Sequence, residues 1–285
     1  MSPTRRAIRR LFRRKPAVFG LAVILLMVSL ALLAPLIAPY DPAALNYTAL
    51  RKPPSLEHFF GTDKLGRDQF SRILYGAQAS LLAGVISVSV AIFCGVPIGM
   101  VAGYVSGQGR LGTLVDSLIS RITDAMLASP FLILAIALAS FLGPSLRNAM
   151  IAIGIAATPT FIRLARGQVL AVKAEDYVEA ARAVGNSGAR VLLRHVLPNI
   201  LPPVIIQASL AIAAGIIAEA SLSFLGLGQQ PPAPSWGKML DDARELFEQA
   251  PWLALFPGLA IFLTVLSFNL LGDGLRDALD PREQR

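Results

Sequence analysis

Side chains able to make or break bonds are scarce in this sequence. Cys94 is the sole cysteine, and His58 and His195 are the only histidines. One thiol cannot close an intrachain disulfide, and this set is too small for a cysteine- or histidine-built metal centre. No Gly-x-x-x-x-Gly-Lys-Ser/Thr occurs, so no phosphate-cradling loop is encoded. His-Glu-x-x-His and Gly-x-Ser-x-Gly are absent too, which disfavours a membrane protease or esterase. Informative charge remains in three places. Glu175, Asp176 and Glu179 precede Arg182 and the Gly185-Asn186 pair; Asp63, Arg67 and Asp68 follow Phe60-Gly61; and Glu219 stands alone in an apolar run. Such residues suit docking, bracing and lining.

The elements that hold them must be mostly lipid-solvated helices. Apolar residues make up 54% of the 285-residue chain and charged ones 15%, against about 25% charged in an average soluble domain. Mostly apolar stretches of the length a bilayer demands occur at Ala17–Pro39, Ala79–Val101, Ala125–Leu142, Ile200–Leu222 and Pro251–Leu271. A shorter one, Ala149–Leu164, carries Arg163 near its end. This predicts six spanning helices. The first exceeds the apolar length of a signal peptide and is read as a retained anchor. Before the third, Leu111, Leu114, Val115, Leu118, Ile119 and Ile122 repeat at helical spacing. They read first as an extension of that span, with a separate interfacial helix as the rival. Pro35, Pro97, Pro130, Pro159, Pro202, Pro203 and Pro257 lie in or near the spans, where neighbouring helices must satisfy the carbonyls they free. Gly84, Gly95, Gly99, Gly103, Gly154 and Gly215 would allow close helix approach.

Orientation follows from the basic residues. With the N-terminus inside, inner segments hold 18 Lys and Arg and outer segments 8, as the positive-inside rule requires. Arg5, Arg6, Arg9, Arg10, Arg13, Arg14 and Lys15 lead the inner set and would also touch anionic lipid. Without a folded soluble module, this charge does not indicate nucleic-acid binding. Both termini are expected in the cytoplasm. The chain then divides into a basic segment (1–16), an anchor helix (17–39), an outer segment (40–78), a transmembrane unit (79–272) with an inner loop (167–198), and a tail (273–285).

That inner loop reads as a short helix over about 174–186. Its early acids and late Arg182 complement the helix dipole, and Gly185 is a suitable stop. Ala180 and Ala181 would permit close approach of a partner. The other singled-out residues keep two readings. Asp63, Arg67 and Asp68 are turn and salt-bridge residues or a docking surface. Glu219 is a buried hydrogen-bonding group or lines a polar path, because lipid exposure would be costly. His195 packs or hydrogen-bonds, with a proton switch as the rival, and Cys94 is inert packing.

Glu179-Ala180-Ala181, Gly185 and Leu197-Pro198 resemble, in kind and spacing, the EAA loop of permease subunits in bacterial ABC importers. His195 departs from that loop's general isoleucine, but Arg194-His195 before Val196-Leu197-Pro198 resembles the peptide-importer branch. Phe60-Gly-Thr-Asp-Lys-Leu-Gly-Arg-Asp68, Ala220-Ser-Leu-Ser-Phe-Leu-Gly-Leu-Gly228, Trp236-Gly237 and Asn269 through Pro281 extend the likeness over nearly the whole chain. The resemblance implies an all-α six-helix bundle of the type I importer kind in the bacterial inner membrane. It implies half of a pathway for dipeptides, oligopeptides, glutathione or nickel chelates. It also implies a second homologous permease, two cytoplasmic ATPase chains using ATP and Mg, and a periplasmic binding protein, with no cofactor on this chain. Asp176, Tyr177, Glu179, Ala180, Ala181, Gly185, His195, Leu197 and Pro198 would form the ATPase-coupling loop. Asp63, Arg67 and Asp68 would meet the binding protein, and Glu219 would line the path. The rival from another class is an ion-gradient carrier or channel, which would need a coupling site near the bilayer midplane.

Overall fold

The computed structural model describes residues 9–279. Arg5 and Arg6 of the basic segment and the tail from Asp280, including Pro281, lie outside the described residues. Within them the chain is helical: α1 Lys15–Ile37, α2 Gln69–Val105, α3 Gly109–Leu127, α4 Phe131–Leu142, α5 Leu146–Lys173 and α6 Asp176–Ala183. α7 runs Gly188–Phe224 through a π turn at Leu192–Val196, α8 is Trp236–Arg244 and α9 is Trp252–Leu279.

Local chemistry sets several helix ends. The Asp68 carboxylate accepts from the Ser71 amide to cap α2, the Ser145 hydroxyl accepts from Asn148 to cap α5, and Ser235 accepts from Lys238 to cap α8. Pro198 lacks the N–H that would bond the carbonyl four residues back. At the same place the ladder widens, and the Leu197 amide reaches the Leu192 carbonyl. α7 therefore enters the bundle through a π turn.

Two long helices form the centre. α2 lays Gly95, Gly99 and Gly103, one turn apart, on α5. A Cβ at Gly95 would meet the Thr158 carbonyl oxygen at 2.8 Å, and one at Gly103 the Arg166 oxygen at 2.8 Å; Gly99 sits over the Ile162 oxygen between them. Backbone approaches backbone along two turns, the packing that small residues allow in lipid. Phe161, Ala165 and Val169 fill the flanks of this seam. Matching numbers rise together along both helices, so α2 and α5 are parallel neighbours. The chain between them must recross the membrane once, and α3 with α4 does this.

That recrossing corrects one expectation. Residues 111–122 do not extend the third span in line, because α3 and α4 meet at 93°. Pro130 has no N–H to continue a helix and disfavours helical geometry at Ser129. α4 has 12 residues, about 18 Å of helix, short of a hydrocarbon core of about 30 Å. The Leu111, Leu114, Leu118 and Ile122 stripe is exposed, while Asp116 and Thr123 of α3 turn inward. Among the described residues, five helices are long and apolar enough to cross alone, and the bent pair supplies a sixth crossing. α1 is peripheral: Ala17, Gly20, Ile24, Ala31 and Ala34 are buried, whereas Leu25, Leu32 and Leu36 face outward.

Gly99→Val should separate α2 from α5, since the new side chain would be driven against the Ile162 backbone. Overpacking of this kind costs about 1–3 kcal/mol. Thermal unfolding of the purified protein in detergent should show the loss, whereas Gly107→Ala, in open space at a positive φ of 76°, should perturb only its own turn.

Candidate functional site

At the end of the bundle bearing α6, the expected short helix spans Asp176–Ala183. Asp176 and Glu179 occupy its first turn and Arg182 its last. Gly185, at φ +83°, ends it. The Gly185 amide donates to the Arg182 carbonyl and the Asn186 amide to that of Ala181, which is a Schellman stop. Val178 is fully buried among Val169, Val191 and Val196 and fixes the inner face. Ala181 also turns inward. Tyr177, Ala180 and Val184 lie on an outer face with Asp176, Glu179 and Gly185. Partial burial, then the neighbouring Glu175 carboxylate, raise the Tyr177 phenol above its ordinary range, keeping it a neutral donor.

Three contacts tie this helix to the rest. The Arg182 guanidinium lies 5.2 Å from the centre of the Tyr104 ring on α2, within cation–π range. A Cβ at Gly188 would meet the same tyrosine, 2.9 Å from its hydroxyl. Lys173 donates to the carbonyls of Tyr104 and Ser106 at 2.8 and 2.6 Å, binding the end of α5 to the end of α2. His195 lies in the π turn, where its carbonyl accepts from Asn199 at 2.6 Å, and Leu197 and Pro198 begin the next turns. Nearby, Arg166 makes a bidentate pair with Asp116 at 2.5 and 2.8 Å, and Arg163 meets Asp124 at 2.6 Å. These pairs fasten α3 to α5.

The opposite end holds Asp63, Arg67 and Asp68. All three are 5% exposed or less, their side chains turned into the fold. Asp63 accepts from the Leu65 and Arg67 amides and pairs with the Arg67 guanidinium at 2.6 Å. Arg67 continues to Asp242 at 3.3 Å, and Arg72 donates to the Pro42 carbonyl at 2.9 Å. Asp68 accepts from Ser71 and lies 2.9 Å from His58 Nδ1. The cluster staples residues 40–68 to the segment after α7. The carboxylates and guanidiniums are paired, as the desolvation of such charges requires, while His58 Nε2 is buried without a hydrogen-bond partner among the described residues.

Glu219 is also a brace. It is fully buried and accepts from Ser80 at 3.0 Å and Ser223 at 2.6 Å. Ser80 in turn accepts from the Trp236 amide at 3.3 Å, and Ser223 from the Gln229 amide at 3.0 Å. One carboxyl thus joins α2, α7 and the start of α8. A different place provides open space: a cavity of about 380 Å³ between the α3–α4 bend, α2, α5 and α7. Ser129, Thr160 and Gln207 are among its polar walls, with Phe131, Phe161 and Leu210 among the apolar ones. Glu219 is not among the residues that line it. Cys94 is exposed on α2 beside Phe93, 79% exposed, rather than packed in the interior.

The architecture has counterparts in known proteins. The family described as the binding-protein-dependent transport system inner membrane component matches residues 95–285, and the N-terminal transmembrane domain of oligopeptide transport permease C matches residues 2–54. The chain belongs to the binding-protein-dependent transport permeases. It is 47% identical over 282 residues to the dipeptide transport system permease protein DppC of Alkalihalophilus pseudofirmus, covering 99% of this chain and 91% of that one. The glutathione transport system permease protein GsiD of Pectobacterium atrosepticum is 45% identical over 282 residues, covering 99% and 92%. Among solved structures, the inward-facing MetNI methionine ABC transporter shares the fold, with a TM-score of 0.62 at 18% identity, covering 74% of this chain and 98% of that one.

As an inner-membrane permease, the chain presents α6 at one end and the Asp63–Arg67–Asp68 cluster at the other. The sequence reading missed Tyr104, Asp242 and Gln207. Tyr104 and Asp242 acquire their roles through distant partners, but an amide within the apolar run of α7 was a visible signal for Gln207. Replacing Glu219 separates a brace from a path-lining role. Glu219→Ala should lower stability by about 1–3 kcal/mol, the usual cost of leaving buried donors unmet, whereas Glu219→Gln should retain an acceptor and lose less. Thermal unfolding in detergent checks the order; equal stability of wild type and both variants would exclude the brace.

Proposed function

We propose that this permease forms half of the transmembrane pathway of an ATP-driven importer for dipeptides, oligopeptides or related small peptides such as glutathione. A second homologous permease completes the pathway, two cytoplasmic ATPase chains supply energy, and a periplasmic binding protein delivers cargo. The observation that carries this reading is α6. Its inner face is locked by Val178 and Arg182, while Tyr177, Glu179, Ala180 and Val184 face outward. Such a helix can occupy a cleft in another chain and pass a displacement to α2, α5 and α7. The names of the dipeptide and glutathione relatives support the cargo class.

In this reading ATP and Mg act in the partner ATPases, and this chain holds no cofactor of its own. α6 and both termini lie in the cytoplasm, supported by the 18 basic residues that the assignment places inside. Asp176, Tyr177, Glu179, Ala180, Ala181 and Gly185 form the seat, with His195, Leu197 and Pro198 setting the angle at which α7 leaves it. Movement of the seat biases rigid packed elements between outward and inward states. Residues 40–68 form an outer platform whose shape the Asp63, Arg67 and Asp68 cluster maintains. An ion-gradient carrier is less well supported because Glu219, its candidate coupling acid, is held by two serines outside the cavity.

Topology can be checked in a Cys94→Ala background. A cysteine at the exposed Tyr47 should react with an impermeant reagent in intact spheroplasts, whereas one at the exposed Val184 should react only after the membrane is opened. The reverse pattern would overturn the orientation.

The seat can be checked by Gly185→Arg and Glu179→Lys. A non-glycine residue at a positive φ costs about 1–2 kcal/mol, and a bias of that size corresponds to a change of about tenfold. Uptake should fall by about tenfold in Gly185→Arg while cargo-stimulated ATP hydrolysis no longer tracks uptake. Glu179→Lys should act in the same direction by reversing charge at the contact. Membrane abundance is measured in parallel. Wild-type uptake and coupling in both variants would remove α6 as the transmission element.

A further inference from the structure

The cavity beside the α3–α4 bend lies at the middle of the bundle. Ser87 is at the centre of α2, Thr160 is next to the centre of α5, and Gln207 is next to the centre of α7. The contacts set the register: Gly154 of α5 lies against the Ser87 carbonyl, Gly95 of α2 against that of Thr158, and Gly84 of α2 against that of Ile212, so these side chains occupy successive levels across the middle turns of the bundle. At this depth the chain between α3 and α4 leaves helical geometry at Ser129 and Pro130. Lipid cannot satisfy broken backbone, which is tolerated at membrane depth only against protein or a water-filled cavity. The first main-chain bond of α4 is from the Leu134 amide to the Pro130 carbonyl. The amides of Phe131, Leu132 and Ile133 therefore precede the helical ladder, and Phe131 borders the cavity.

The lining side chains sharpen the assignment. Hydroxyls on these helices commonly bond the carbonyl one turn back: Thr158 to Gly154, Ser221 to Ile217 and Thr264 to Ala260. Among the described residues, the Thr160 hydroxyl and the Gln207 amide form no such bond and line the cavity instead. Among the described residues, no Asp, Glu, Lys or Arg lines it. Ser87 is committed elsewhere, donating to the Met150 carbonyl at 2.9 Å.

We propose that Gln207, Thr160 and Ser129 form a cargo-contact set that hydrogen-bonds the main-chain amides of a peptide at mid-membrane. This deepens the importer reading and rests on it. An amide offers both donor and acceptor, and a hydroxyl offers the same in a smaller group. Peptide bonds present matching groups in every peptide, whatever the side chains. A neutral lining therefore passes anionic, neutral and cationic cargo without strong preference, whereas a fixed charge would impose one. The apolar remainder, including Phe131, Phe161 and Leu210, accommodates side chains without directional demands.

The test uses the whole transporter with its binding protein in proteoliposomes and three labelled probes: alanyl-alanine, alanyl-lysine and alanyl-glutamate. Gln207→Leu should lower the maximal uptake of all three by about fivefold, the scale of one lost hydrogen bond. ATP hydrolysis stimulated by the loaded binding protein should persist, because α6 and its contacts are untouched. Gln207→Glu should raise the ratio of alanyl-lysine to alanyl-glutamate uptake by about fivefold or more through local charge. A structural role alone would not move that ratio. Wild-type rates in Gln207→Leu together with an unchanged ratio in Gln207→Glu would overturn the assignment. As a measurement independent of these variants, Thr160→Cys in a Cys94→Ala background should react with a hydrophilic thiol reagent and lose uptake on modification. Failure to react in the transport-active complex would also overturn it. If the wild-type complex moves none of the three peptides, the importer-of-peptides reading itself fails, a result distinct from failure of the Gln207 contacts.

Discussion

The close approach of α2 to α5 is the constraint on which the other features depend. Glycines at 95, 99 and 103 lie against the carbonyls of residues 158, 162 and 166. Two apolar helices in lipid gain little from hiding from water, so their association relies on contact area and close packing. The seam supplies that contact and makes α2 and α5 parallel neighbours. It consequently forces α3 and α4 to recross beside them, and the bend in that recrossing opens the cavity. The same seam continues to Arg166, whose pair with Asp116 fastens α3 at the α6 end.

Polar groups then secure what close packing alone leaves free. Glu219 gathers Ser80 and Ser223, while the Asp63–Arg67–Asp242 chain holds residues 40–68 against the connection after α7. Removing one member from such a buried network costs more than its pairwise contact, because the remaining partners are left desolvated. These networks lie at or near one end of the bundle. At the other end, Lys173, Tyr104 and Arg182 connect three helices through a carbonyl cap and an aromatic face. The bundle is thus braced above and below a middle region where Thr160 and Gln207 remain unengaged within the chain.

Much of this was legible because the relevant physics is local. Length and apolarity identified the crossings, and acids before Arg182 with Gly185 after it marked α6, whose observed limits fall inside the expected segment. Glycine spacing on α2 foretold close approach, but the partner helix could not be read from spacing alone. The direction of α3 was harder. Its amphipathic repeat is the same whether the helix continues straight or turns; the turn comes with Pro130 and with the pairing of Asp116 and Asp124 to Arg166 and Arg163 of α5. Asp63, Arg67 and Asp68 illustrate the converse limit: their types suit a surface as well as a core, and burial is decided with Asp242, 175 residues from Arg67. Glu219 was read correctly as costly in lipid, but the serines that solvate it come from α2 and from the next turn of α7.

The arrangement also explains how a small helix can address a deep cavity. α6 touches neither Gln207 nor Thr160, yet it is held through Arg182 to the α2 end and by Val178 to residues on α5 and α7. Those three helices carry the cavity's polar wall at their midpoints. Long packed helices resist internal compression because each retained turn preserves its hydrogen bonds and side-chain contacts. Displacement applied at α6 therefore acts on the walls as connected bodies, while the interrupted α3–α4 ladder offers less resistance to bending. The chain combines a stiff connection from seat to wall with a break in the wall itself, and these two mechanical properties arise from the same sequence choices: glycines where backbones must meet, and Pro130 where one must part.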